Sequence, residues 1–269
     1  MYDEYVKSFI NFKYEGKMTK RLLFFFIFLL SSLNTVCLAN QPDKKPLRIL
    51  CLGDSITQSA NVQFSYRYHL WKKMVDLDMN FDFIGSMKNC YPGKDTSYEH
   101  SYKGRAFDRD HEGHWGWFAD QVLGITKEIP ASTGSGNLSD WLKGYTPDIV
   151  LLHLGHNDAG LGEAPEEIAK ELKKIISLLQ NDNPNVSVLL AKVIPNDNPE
   201  WNKRLNNLNS VIQGVAEDMK NNNSKVLVID FSIGFDARQD TFDGIHPNKV
   251  GAEKMAQKWL KGILKAIQN

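Results

Sequence analysis

The chain has 269 residues, 42% of them hydrophobic and 24% charged, which is an ordinary globular balance. Its 32 basic and 32 acidic residues cancel, so charge gives no reason to expect nucleic acid or an anionic membrane surface as partner.

Taken in order, residues 1–17 carry Asp3, Glu4 and Glu15, the wrong charges for the start of an export signal. They read as an upstream artefact, with translation beginning at Met18. Residues 18–39 read as a signal peptide: Lys20 and Arg21, an apolar stretch over 22–33, and the small Ala39 before Asn40. The unbroken apolar run, 22–30, is shorter than the ~20 residues of a membrane span, although an uncleaved anchor is the competing reading. Asn34-Thr35-Val36 before Cys37 matches a lipid-attachment box poorly. The expectation is therefore a secreted or periplasmic protein with no stable membrane insertion after cleavage, whose residues 40–269 form a single domain.

Apolar runs at 47–52, 81–84, 149–154, 186–193 and 226–231 read as strands. Most are continuous rather than alternating, as strands buried on both faces should be. Helical patterns separate them at 66–77, 164–180, 201–219 and 248–267, the second with Pro165 and acids in its first turn. Strands alternating with helices predict a parallel sheet covered on both faces, an α/β fold. The stretch 86–146 breaks the rhythm: a long connection rich in Gly, Tyr, Trp, His and Asp, too aromatic for disorder. A short helix is expected near "SGNLSDWLKGYTPD". Cys51 lies mid-strand, where a buried thiol is the default, and a disulfide to Cys90 stays open. No Cys/His spacing suits structural zinc.

Ligands of open parallel sheets sit beyond the carboxyl ends of the strands. Gly53-Asp54-Ser55 follows the first strand, "DHEGHWGW" (110–117) lies in the long connection, Gly155-His156-Asn157-Asp158 follows the third strand, and "DGIHPN" (243–248) lies beyond the fifth. A serine hydroxyl is a weak nucleophile and needs a base. His246 suits that role, and Asp243, three residues earlier, can orient it and stabilise its imidazolium form. The Ser55 N–H, a glycine N–H and the Asn157 amide can bind a developing oxyanion.

These blocks resemble the SGNH (GDSL) hydrolase superfamily: "GDSITQ" carries Ser55, "GHND" carries Asn157, and "DGIHPN" carries Asp243 and His246. "HEGHWGW", "SYRYHLWKKMVD" and "FDFIGS" are similar to the carbohydrate esterase family 3 (acetylxylan esterase) branch. The likeness runs over roughly residues 47–262. It implies a flavodoxin-like three-layer α/β/α sandwich with a five-stranded parallel sheet in order 2-1-3-4-5. No metal or organic cofactor goes with it. Gly116 takes the second-block glycine role, with Gly85 as fallback. His156 stands where Thr is frequent, and Trp115 where Ser is frequent.

The function expected is a secreted serine esterase that removes O-acetyl or other short acyl groups from a polysaccharide such as xylan, through an acyl-serine intermediate. A lysophospholipase or broad short-chain esterase is the alternative within enzymes, and a carbohydrate-binding module on the same fold the alternative outside them. Trp115, Trp117 and His156 are candidate substrate contacts, although the tryptophans can equally order the long connection. Asp54 is expected to bond backbone in its turn rather than act in catalysis, and His153 to be a core histidine. His111, His114, Asp110 and Glu112 lack metal-ligand spacing and are expected to shape the Gly116 turn by hydrogen bonds.

Overall fold

An unbroken apolar strand needs cover on both faces, because its alternate side chains point opposite ways. The computed structural model describes residues 45–92, 101–126 and 133–268, and supplies that cover. The segments expected to be an upstream artefact and a signal peptide lie outside the described residues. Strand β1 (Leu47–Gly53) leads into a one-turn helix, α1 (Ser55–Gln58). Helix α2 (Tyr66–Asp76) then returns the chain to β2 (Phe81–Ile84). The long connection contributes an antiparallel pair, β3 (Ser101–Tyr102) and β4 (Arg105–Ala106), then β5 (Glu112–Gly113), α3 (Ala119–Val122) and α4 (Leu138–Trp141). After β6 (Ile149–His153) come α5 (His156–Leu161) and α6 (Pro165–Asp182). Strand β7 (Ser187–Lys192), α7 (Pro199–Met219), β8 (Lys225–Asp230), α8 (Ala237–Asp240) and α9 (Lys249–Gln268) complete the order.

The main sheet runs β2-β1-β6-β7-β8, all parallel, which is the expected order 2-1-3-4-5. One face of it carries Leu50, Leu52, Val150, Leu152, Val188 and Leu190 against Ile168, Leu172 and Ile175 of α6 and Leu205, Leu208 and Ile212 of α7. The other carries Ile49, Cys51, Ile149, Leu151 and Leu189 against Leu70, Trp71 and Met74 of α2 and Met255, Trp259 and Ile263 of α9. Both long helices on the first face start at a proline. Glu166 and Glu167 follow in α6, and the Asn198 side chain caps α7 by accepting from the Glu200 and Trp201 N–H groups.

Besides the β3-β4 pair, one strand of the main sheet was not expected. β2 pairs with β1 only as far as Leu50, so the last part of β1 has an open edge. Glu112 and Gly113 fill it, paired with Leu52 and Gly53. Two residues of a loop-like, polar stretch thus become a sixth strand, because unpaired backbone beside a buried strand would otherwise be costly. Cys51 and Cys90 are buried thiols with no disulfide between them, and burial pushes the Cys51 thiol up to about 12.

Gly113 has room for no side chain: a Cβ there would sit 2.4 Å from the Gln58 backbone nitrogen. Gly113→Ala should cost about 1–3 kcal/mol by overpacking. That corresponds to a fall in Tm of roughly 2–12 °C. An unchanged melting curve would show that α1 yields to the methyl group without cost.

Candidate active site

The Gly-Asp-Ser turn follows from three local needs. A Cβ on Gly53 would lie 2.2 Å from the His153 carbonyl oxygen and 2.4 Å from Thr57 Oγ1, so only glycine lets β1 end this close to β6. Asp54 caps α1, its Oδ1 accepting from the Ile56 N–H at 2.9 Å. Burial pushes this carboxyl up to about 7, against the hydrogen bonds that lower it. Ser55 then opens the helix at the strand tip, 5% exposed.

His246 reaches Ser55 from the far end of the chain. Its Nε2 lies 2.9 Å from Ser55 Oγ, and its Nδ1 lies 2.7 Å from Asp243 Oδ2. An ionised carboxylate can only accept, so Nδ1 carries the proton and Nε2 presents its lone pair to the serine hydroxyl. Partial burial by itself would raise the Asp243 carboxyl. The His246 backbone N–H, its imidazole and the Ile245 N–H outweigh this and hold it below the usual value. Gly244 supplies the left-handed turn between them, at φ +85°.

Asn157 begins from another special turn, with Gly155 at φ +103° as the cap of α5. The Asn157 Nδ2 donates to the Trp117 carbonyl at 2.8 Å, which uses one of its two hydrogens. The stretch 114–117 is held from both sides. The His114 N–H donates to the Gly53 carbonyl at 2.9 Å, and the Trp115 N–H to Gln58 Oε1 at 2.8 Å. Gly116, at φ +78°, lies between these anchors and the Asn157 contact. Gly85 packs instead against the His111 backbone, where a Cβ would come within 2.3 Å of its carbonyl.

The acid and histidines of "DHEGH" do shape this turn. His114 bonds Glu112 Oε2 and the Thr133 carbonyl, both at 2.8 Å, and its ring stacks on Trp117 at 4.2 Å and on Trp141 at 4.7 Å. Glu112 Oε1 also accepts from the Tyr145 hydroxyl at 2.7 Å. His111 Nδ1 accepts from the Gly113 N–H at 2.9 Å, and burial beside the Arg67 cation drives its pKa well down.

The candidate substrate contacts fare differently. Trp117 is fully buried and donates from its indole to Thr133 Oγ1, so it offers no face to a ligand. His156 is also buried, 1% exposed, beside Trp201. Burial first, then His153 and His246, lower its pKa to about 3. Trp115 stands at the site, but it stacks on His246 at 4.3 Å and on Tyr91 at 4.5 Å. Phe242 lies parallel to the same imidazole at 5.7 Å. Trp117 and His156 are thus buried packing residues, while Trp115 is partly exposed beside the histidine.

Two residues of the site were missed. Arg67 is buried, and its guanidinium donates to the carbonyls of Thr57, Gln58 and Arg109 at 2.9, 3.1 and 3.0 Å, tying down the end of α1. Gln58 links α1 to the long connection through both ends of its amide. The available signals were the places of these residues in "SYRYHLWKKMVD" and "GDSITQ" and, for Arg67, a charge between Tyr66 and Tyr68. His153 is fully buried in β6, and no described hydrogen bond reaches its ring, as a core residue rather than a ligand.

Residues 51–254 match the GDSL-like lipase/acylhydrolase family, and the chain belongs to it. The fold and the family together define a carboxylic ester hydrolase of the SGNH type. A multidomain esterase of Ruminococcus flavefaciens is 31% identical over 242 residues, which is 82% of this chain and 29% of that protein. A putative endoglucanase X of Acetivibrio thermocellus is 30% identical over 151 residues, 54% of this chain and 64% of that one. The chain thus spans less than two thirds of either relative. Among solved structures, a carbohydrate esterase family 3 protein from Talaromyces cellulolyticus superimposes with TM-score 0.67 at 27% identity, covering 82% of this chain and 98% of that one. A Clostridium thermocellum family 3 carbohydrate esterase gives TM-score 0.64 at 28% identity, covering 84% and 100%.

The buried histidines make an acid-stability prediction. The folded state depresses His156 to about 3 and His153 to about 4, so their contribution is present above the unfolded value near 6.5 and is lost as pH falls towards those folded values. Asp54 and Asp158, each raised to about 7, act in the opposite direction, so the test is differential. Between pH 7 and pH 4, Tm of His156→Leu should fall by less than that of the unmodified protein. Parallel curves would mean that His156 does not stay neutral in the fold.

Proposed function

We propose that this chain removes acetyl and other short acyl groups from an acylated carbohydrate, such as acetylated xylan, through an acyl-serine intermediate. The observation that carries this reading is the line Asp243 Oδ2, His246 Nδ1, His246 Nε2, Ser55 Oγ, with gaps of 2.7 and 2.9 Å. Ser55 Oγ attacks the ester carbonyl carbon while its proton passes to His246 Nε2. Asp243 holds the ring and stabilises the imidazolium. The carbonyl oxygen takes up negative charge and is met by the Ser55 N–H, the Gly116 N–H and the remaining hydrogen of Asn157 Nδ2. Collapse expels the alcohol, which takes the proton from His246. Water then gives its proton to the same nitrogen and attacks the acyl group, releasing acetate and restoring Ser55.

Gly116 is favoured over Gly85 because its neighbours contact both α1 and Asn157, whereas Gly85 packs on His111. The carbohydrate preference is supported by the structural likeness to carbohydrate esterase family 3 proteins. The same reading includes export, through the signal-like segment 18–39, of one hydrolase domain over 40–269. Among the described residues, no helix is long and apolar enough to cross a membrane.

Ser55→Ala should remove hydrolysis of p-nitrophenyl acetate with the melting curve retained. Asn157→Ala should lower kcat by about 10²–10³. Full turnover by Ser55→Ala would end the acyl-serine scheme. Acetate release from acetylated xylan, run beside p-nitrophenyl esters of increasing chain length, tests the substrate class. Rates that rise with chain length, with no acetate from xylan, would point to lipid-like esters.

A further inference from the structure

Beside the site, three carboxylates converge for which the proposed reaction has no use. Asp158 follows Asn157 on α5, Glu163 lies in the turn after that helix, and Glu171 is on α6. One oxygen from each lies within 4.8 Å of the others. Like charges gathered this closely repel, and Asp120 adds to the repulsion on Glu163 and Glu171. Lys174 is the cation that acts on Glu171 in the opposite sense, and no described salt bridge reaches any of the three.

Asp158 supplies the second observation. It is 1% exposed, and its Oδ1 accepts from the Ala119 N–H at 2.8 Å. Its Oδ2 is buried with no partner, as is Glu171 Oε2. A buried carboxylate oxygen without a donor is expensive, and two at one place call for a shared positive group.

We propose that Asp158, Glu163 and Glu171 form a calcium site that braces the oxyanion side of the active site. The donors are all oxygen, which selects a hard cation over zinc or copper. Calcium–oxygen distances of about 2.3–2.6 Å put opposite ligands roughly 4.6–5.2 Å apart, and this accommodates the spread of the three oxygens. Magnesium, at about 2.1 Å, demands a tighter and more regular shell. The ion takes no part in the reaction. Asp158 adjoins Asn157 in sequence and holds the N–H of Ala119. Asn157 in turn holds the Trp117 carbonyl, so a cation on Asp158 fixes both segments of that contact.

The test is calcium binding by the full chain after chelator treatment and desalting, read by calorimetry and thermal unfolding. The binding readouts do not depend on the proposed reaction, so failure of one leaves the other standing. At calcium near a hundredfold over Kd, Tm should rise by roughly 5–10 °C, with a smaller effect of magnesium. Glu163→Gln and Glu171→Gln, both at partly exposed positions, should each weaken calcium at least tenfold and shrink the shift. No heat and no Tm change at millimolar calcium would overturn the proposal. So would an undiminished response in either variant, since the ion would then sit elsewhere.

Discussion

The contact between His246 Nε2 and Ser55 Oγ joins side chains 191 positions apart at 2.9 Å, and the chemistry assigned to this chain depends on it. No local preference creates such a contact. It exists because parallel strands all end on the same edge, so that whatever follows each strand is delivered to one place. The nucleophile turn follows β1, the asparagine turn follows β6, and the Asp-His turn lies beyond β8. The sheet in turn persists because both faces are covered by apolar helix stripes, and this is what an unbroken run such as Ile49 to Leu52 requires.

Around that contact the molecule uses buried polar structure. Arg67 satisfies three carbonyls at the end of α1 and around it, Gln58 bridges α1 to the long connection, and Glu112 accepts from His114 and Tyr145. Each bond is worth little on balance, but the loss of one partner leaves a buried group unpaired. The result is a hydrogen-bonded wall beside Gly116 and Asn157, built from the segment that departs most from regular secondary structure. The imidazole is confined in a second way, by the parallel rings of Trp115 and Phe242. Trp115 therefore stacks on both the histidine and Tyr91.

Much was legible beforehand because it was written in local patterns. Continuous apolar runs marked the strands, proline and acids marked the start of α6, and the four blocks marked the strand ends. β5 was not legible, since Glu112 and Gly113 become a strand only because β2 stops at Ile84 and leaves β1 unpaired. Nor was the burial of Trp117 and His156, which depends on what packs over them. Arg67 gave no periodic signal, because its value lies in the carbonyls it meets rather than in the helix it belongs to.

The family resemblance supplied the strand order and the choice of Gly116, whereas the residues themselves pointed to the α/β architecture and to Ser55, Asp243, His246 and Asn157 as candidate machinery. These rest on residue types and short spacings, which survive in any environment. Only the tertiary structure decided which polar groups meet: the serine and the imidazole, the amide and the Trp117 carbonyl, the three carboxylates near α5 and α6. Hydrogen bonds and charge repulsion act over a few ångströms, and separations that small between distant residues are set by packing, not by pattern.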